Sequence, residues 1–185
     1  MIDTDVLRVQ PELAGERVVL VQLGVEHVEG VWQALQDPEV LRFTGTHTKF
    51  TRERVEDWTA KLLGRDDRAD WAILRASDRA YVGDASLGDL DADNRSMSFR
   101  IALGGAAEFG RGYGTEALRL LLDYAFDVVG VHRVTLEVFD FNTRAQRVYE
   151  KCGFVREGVQ REALYWDGQW HDTIDMAVLA GDPRG

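Results

Sequence analysis

The chain has 185 residues, 45% of them hydrophobic, which suffices for one domain with a sizeable core, and its formal net charge is −10. That balance argues against binding the nucleic-acid backbone; it suits attraction of a cationic amine, and equally well plain solubility. No apolar run approaches a membrane span, and the N-terminus MIDTDVLRVQ lacks a basic stretch leading into a hydrophobic one, so no membrane association and a cytoplasmic location are expected.

Residues 1–16 read as an irregular lead-in, and Arg17 to Leu23 (RVVLVQL) as a first strand. From Glu26 to Gln36 the residues Val28, Val31, Trp32 and Leu35 fall on one helical face, and Asp37-Pro38 marks the end of that helix. Glu39 to Phe50 has little period and carries Arg42, Phe43, Thr44, His47 and Lys49. A second helix, from about Thr51 to Leu63, places Val55, Trp58 and Leu62 at helical intervals. Three strands follow, Trp71 to Arg75, Tyr81 to Leu90 and Ser96 to Leu103. The polar turns between them, Asp78-Arg79 and Asp91-Ala92-Asp93-Asn94, make this an antiparallel meander.

The stretch Glu108 to Asp127, EFGRGYGTEALRLLLDYAFD, comes next. Gly110, Gly112 and Gly114 precede an apolar stripe of Leu118, Leu121, Leu122, Ala125 and Phe126 at helical spacing. Glycines therefore sit where a strand turns into a helix. The first amides of a helix lack intrahelical acceptors and lie at the positive end of the peptide dipoles, and glycines let a phosphate approach the backbone closely. Arg111 adds a full charge, so the expected ligand is a diphosphate. The alternative is a flexible loop before an ordinary core helix. A dinucleotide fingerprint fits worse, because the spacing is GxGxG and Thr115 stands in the third place. No lysine follows to make a P-loop.

Arg133 to Phe139 alternates through Val134, Leu136 and Val138 as another strand, so strand, helix and strand in succession imply a parallel crossover from Ser96–Leu103. Asn142 precedes a helix from Thr143 to Lys151, and asparagine there is a preferred N-cap. A closing hairpin pairs Arg161 to Trp166 with His171 to Leu179 around Asp167-Gly168, with a loop that can run on through Gln169. Cys152 is the only cysteine, so no intrachain disulfide forms, and its expected role is packing. His27, His47, His132 and His171 show no ligand spacing, and no metal is expected.

FGRGYGTEAL resembles the acyl-CoA pyrophosphate loop, Q/R-x-x-G-x-G/A, of the GNAT superfamily of acetyl-CoA-dependent N-acetyltransferases, with Gly112 and Gly114 on its two small positions. Phe109 replaces the usual Gln or Arg, a departure similar to that of the ribosomal-protein N-acetyltransferase (RimJ/RimL) branch. A second block, LEVFDFNTRAQRVYEKCGF, matches the superfamily's strand, asparagine, helix and Gly-Phe at Asn142, Ala145, Tyr149, Gly153 and Phe154. The tail REGVQREALYWDGQWHDTIDMAVL resembles that of the RimJ/RimL branch and of polyamine acetyltransferases. The likeness spans roughly Trp71 to the C-terminus and, more loosely, the whole chain.

The resemblance implies a single α+β domain: a central mixed, mostly antiparallel sheet, splayed between two parallel strands, flanked by helices and closed by a hairpin. It implies acetyl-CoA as cosubstrate and direct attack by a primary amine, with Phe109, Gly110, Arg111, Gly112, Tyr113, Gly114 and Thr115 around the diphosphate. Ile101, Ala102 and Leu103 would hold the thioester, where one amide could polarise the carbonyl as an oxyanion hole does. Tyr149 would be the acid that protonates the leaving thiolate, and Asn142 would contact the pantetheine arm or an ordered water. Read without the resemblance, Tyr149 is a core aromatic beside Ala145, Val148 and Cys152. The general base is not identified: relatives often carry a carboxylate where Ser98 stands, which leaves Asp84, Asp89 or Glu137 acting through water. The acceptor is a protein N-terminus or a small amine such as a polyamine or aminoglycoside. A non-catalytic acyl-CoA-binding module is the other reading, favoured by Ser98 alone. Exposed strand edges are compatible with a homodimer.

Overall fold

A computed structural model of the chain describes residues 2–184. Its eight strands are β1 (Leu13–Ala14), β2 (Val18–Gln22), β3 (Ala69–Arg75), β4 (Tyr81–Asp91), β5 (Ser96–Leu103), β6 (Arg133–Phe139), β7 (Val155–Trp166) and β8 (Gln169–Leu179), in one sheet ordered β1-β2-β3-β4-β5-β6-β8-β7. Five α-helices accompany it: α1 (Val28–Ala34), α2 (Pro38–Thr44), α3 (Arg52–Ala60), α4 (Tyr113–Asp123) and α5 (Thr143–Lys151). None of the described helices is long and apolar enough to cross a membrane.

Alternation along β3 shows how the layers arise. Trp71 and Ile73 join the larger core with Leu118, Leu121 and Leu122 of α4 and Tyr149 of α5, whereas Ala72 and Leu74 join a second core with Val28 and Val31 of α1 and Val55 of α3. Both faces of the central strands are thus covered. The apolar stripe of the glycine-loop helix faces the larger core as expected, and α4 runs on into a π-helical turn, Tyr124–Val129, that buries Ala125 and Phe126.

The predicted meander and crossover are present. β3, β4 and β5 pair antiparallel, and β5 and β6 pair parallel. Several details differ from expectation. The lead-in contains β1, whose Leu13 and Ala14 pair with Leu20 and Val19. Asp37-Pro38 does not merely close α1: Asp37 accepts hydrogen bonds from Glu39 N (2.8 Å) and Val40 N (3.4 Å), and Pro38 occupies the first turn of α2, where its missing N–H costs nothing. In α3 Val55 is buried while Trp58 is 39% exposed, so the tryptophan is not a core residue. The hairpin turn is only Asp167 and Gly168, both with positive φ. Trp166 pairs directly with Gln169, and β7 begins at Val155 rather than Arg161.

Candidate functional site

β5 and β6 are bridged only at Ser96–Arg133, Met97–Val134 and Ser98–Thr135. Beyond Ser98 they diverge, although β5 stays paired to β4 as far as Leu103 and β6 to β8 as far as Phe139. The main-chain groups of Phe99–Leu103 and Leu136–Val138 that face the fork have no strand partner, whereas Phe139 O accepts from Asn142 N at 3.0 Å and Gln146 Nε2 at 3.1 Å; the unpaired polar groups are left to find a partner elsewhere. The fork opens into a cleft of about 830 Å3.

Two faces meet at this fork. Met97 and Phe99 of β5 and Val134, Leu136 and Val138 of β6 are buried in the larger core. Strand alternation therefore sends Ser98, Arg100, Thr135 and Glu137 to the opposite face, and all four line the cleft.

At the wide end lies the glycine loop. Gly110 (φ 72°) and Gly112 (φ 83°) adopt the left-handed conformation, and a Cβ built on Gly110 would meet nothing within 4 Å. The loop is open on that side, and Gly112 is the N-cap of α4 with no side-chain cap, so the first amides of the helix have no side-chain acceptor. A diphosphate fits such donors.

Of the sequence-derived site residues, Ile101, Ala102, Leu103, Phe109, Gly110, Gly112, Tyr113, Gly114, Thr115, Asn142 and Tyr149 all line the cleft. Arg111 does not. Its Nε donates to Ala107 O at 2.7 Å and its carbonyl accepts from Arg17 Nη1 at 3.1 Å, so it is engaged within the loop.

Tyr149 enters from the core face, edge-on to Phe99 with ring centroids 6.4 Å apart. It is 8% exposed, its hydroxyl makes no hydrogen bond within the described residues, and burial, with a smaller contribution from Cys152, pushes its phenol well above the ordinary value of 10. The proton is therefore held throughout the neutral range. The Asn142 side chain accepts from Ala145 N at 3.2 Å, which caps α5 and leaves its amide NH2 free of that bond.

Sequence reasoning missed the aromatic rim. Phe43 of α2 meets Phe109 edge-on at 5.9 Å, and Arg144, the second residue of α5, sets its guanidinium 3.9 Å from the centre of Phe109 and 5.3 Å from that of Phe43. Arg144 lines the cleft and forms no ion pair among the described residues, which leaves a cation at its mouth.

The three carboxylates considered as bases separate clearly. Asp89 and Glu137 line the cleft; Asp84 does not. Asp84 accepts the Tyr81 hydroxyl at 2.6 Å, and its carboxyl is pushed up to about 6 by burial, against the pull of that hydrogen bond and with a further push from Asp70. Opposite Glu137 on the neighbouring strand stands Asp175, and Gln160 Nε2 bridges the two at 3.4 and 2.7 Å. No cluster of metal-ligating side chains occurs among the described residues.

The GNAT acetyltransferase domain model matches residues 17–155. A probable N-acetyltransferase of Bacillus subtilis, YjcK, is 33% identical over 131 residues, covering 71% of this chain and 72% of that protein. The spermidine N(1)-acetyltransferase of Vibrio cholerae is 28% identical over 107 residues, covering 58% of this chain and 61% of that protein. Among solved structures, a spermidine N-acetyltransferase from Vibrio cholerae in complex with CoA and spermine superposes with a TM-score of 0.83 over 90% of this chain and 97% of that one, at 21% identity.

Proposed function

This chain belongs to the GNAT acetyltransferase family and is an acetyl-CoA-dependent N-acetyltransferase, and from that premise we propose that its acceptor is a small primary amine carrying more than one positive charge, of the polyamine class. The observation behind this is the Glu137–Asp175 pair. Residues directly opposite in an antiparallel ladder have Cβ atoms roughly 4.5–5.5 Å apart, and like charges there repel. No arginine, lysine or histidine pairs with either carboxylate among the described residues, and both line the cleft beside the fork. A second ammonium on the acceptor relieves that repulsion while the first is held at the reacting end. The net charge of −10 and the sequence likeness to a spermidine acetyltransferase point the same way.

In this reading the open amides of the glycine loop and the Arg144 guanidinium bind the diphosphate, and the unpaired main chain of β5 and β6 holds the pantetheine arm. An amide in Ile101–Leu103 polarises the thioester carbonyl, and Tyr149 gives its proton to the departing thiolate from the core face. Asn142 orients the arm. The acceptor enters from the opposite face.

Thiol release from acetyl-CoA with spermidine, and with peptides having free α-amines and uncharged side chains, tests the acceptor. Spermidine should be preferred, and Glu137→Gln or Asp175→Asn should raise its KM roughly ten- to a hundredfold, as expected for a charge-assisted contact of about 1.5–3 kcal/mol. Turnover of the peptides with spermidine untouched would overturn it.

A further inference from the structure

We propose that Ser98, backed by Asp89, takes the proton from the incoming ammonium, Ser98 being the catalytic residue and Asp89 the positioning residue behind it. This rests on the acetyltransferase activity but not on which amine is the acceptor.

Ser98 sits at the last bridged pair before β5 and β6 diverge, so it marks the apex of the fork on the acceptor face. Its hydroxyl donates to Asp89 Oδ2 at 2.5 Å. Asp89 reaches it by a departure from strand alternation. Leu87 and Leu90 of β4 pack on the larger core and Gly88 pairs with Ser98, so in a regular strand Asp89 would point away from Ser98. The β4–β5 register shifts between Gly88 and Asp91, and Asp89 there has φ 51°. That backbone conformation is strained for a residue with a Cβ, and the bulge re-aims the Asp89 carboxylate onto the acceptor face.

The charged groups around the pair come from several elements. Arg100 of β5 places Nη2 3.5 Å from Asp89 Oδ2, whereas Arg68 passes Gly88 with its Cβ, 4.0 Å from a Cβ built there, and commits its guanidinium to Asp70. Glu137 of β6 and Asp175 of β8 face the same cleft across the fork. Of the cleft carboxylates, Asp89 alone is hydrogen-bonded to a hydroxyl at the apex, which can hand on a proton as it receives one.

An ammonium proton passes to Ser98 Oγ while the Ser98 hydroxyl proton passes to Asp89 Oδ2. The freed nitrogen lone pair forms the N–C bond, and the C–S bond then breaks. Tyr149 protonates the sulfur and is reprotonated by the second proton shed from nitrogen, and Asp89 releases its proton to solvent.

The test measures thiol release from acetyl-CoA with spermidine between pH 6 and pH 10.5. Asp89→Asn should lower kcat/KM about a hundredfold at neutral pH, the lower end of what proton transfer contributes, with acetyl-CoA affinity unchanged. The deficit should shrink as pH approaches the amine's own value, about 10.4 for an alkylammonium, where no base is needed. Ser98→Ala should behave alike. Ser98→Glu in the Asp89→Asn background should regain activity, because it carries a carboxylate to the apex directly. A wild-type rate and pH profile for Asp89→Asn, or a loss equal at every pH and not rescued by Ser98→Glu, would overturn the relay. If spermidine is not acetylated by the wild type, the polyamine reading fails, and the same series is run with whichever primary amine is turned over.

Discussion

The Glu116 carboxylate accepts the backbone N–H of Arg17 at 2.8 Å, and with it those of Val18 (2.8 Å) and Glu16 (3.1 Å). Three amides at the start of β2 are thereby tied to the first turn of the helix that carries the glycine loop. Arg17 closes the arrangement from beneath, with Nη1 on Arg111 O at 3.1 Å and 3.3 Å from a Cβ built on Gly112.

Glu116→Ala therefore removes a fastening of the cofactor loop as well as stability. Hydrogen bonds to a charged group contribute about 1.5–3 kcal/mol each when buried, but two of these three are exposed and water replaces part of the loss. A net cost of about 2 kcal/mol corresponds to a fall in Tm of roughly 4–8 °C in a chain of this size. Acetyl-CoA affinity, measured by calorimetric titration below the transition, should weaken at the same time. An unchanged Tm and affinity would show that the turn is held by other contacts.

Tyr149→Phe separates packing from chemistry. Because the hydroxyl has no hydrogen-bond partner within the described residues, its removal should leave thermal stability nearly unaltered. The buried phenol keeps its proton across the neutral range, so the wild-type rate should show no loss below about pH 10 from ionisation of this group. In single-turnover experiments, where chemistry is observed directly, the variant should be about a hundredfold slower, with little change in KM for acetyl-CoA. A variant as fast as wild type would return Tyr149 to a purely structural role.

What was legible in the sequence was local. The glycine loop, Asn142 before its helix, the alternating β6 and the Asp-Gly hairpin each carry their cause within a few residues, and the structure places them as their own chemistry dictates. Asp37-Pro38 carried two meanings, since proline both ends one helix and begins the next. Reading only the first hid α2, and with it the Phe43 contact to Phe109. Other features had no local signal. Glu116 meets its amides across about a hundred residues of chain, Arg144 reaches Phe109 from another element, and a one-residue bulge brings Asp89 to Ser98 against the strand's period.

Asp84 gives the pH dependence of stability a definite sign. Its folded-state value, about 6, lies above the ordinary 3.8, so the folded chain binds the proton more tightly than the unfolded one does. The stability it contributes is fully present below about pH 3.8 and is lost as pH rises through 6. Two units correspond to at most about 3 kcal/mol, and less here because the residue is not wholly shielded from solvent. Asp84→Asn keeps an acceptor for the Tyr81 hydroxyl without the charge. The variant should match or exceed wild-type Tm at pH 7.5, and its advantage should shrink toward pH 4.5, as followed by thermal unfolding across that range. Since Asp84 lies outside the cleft lining, acetyl transfer should be unchanged. A variant less stable than wild type at pH 7.5 would mean that the ionised carboxylate is held there by contacts stronger than its burial cost.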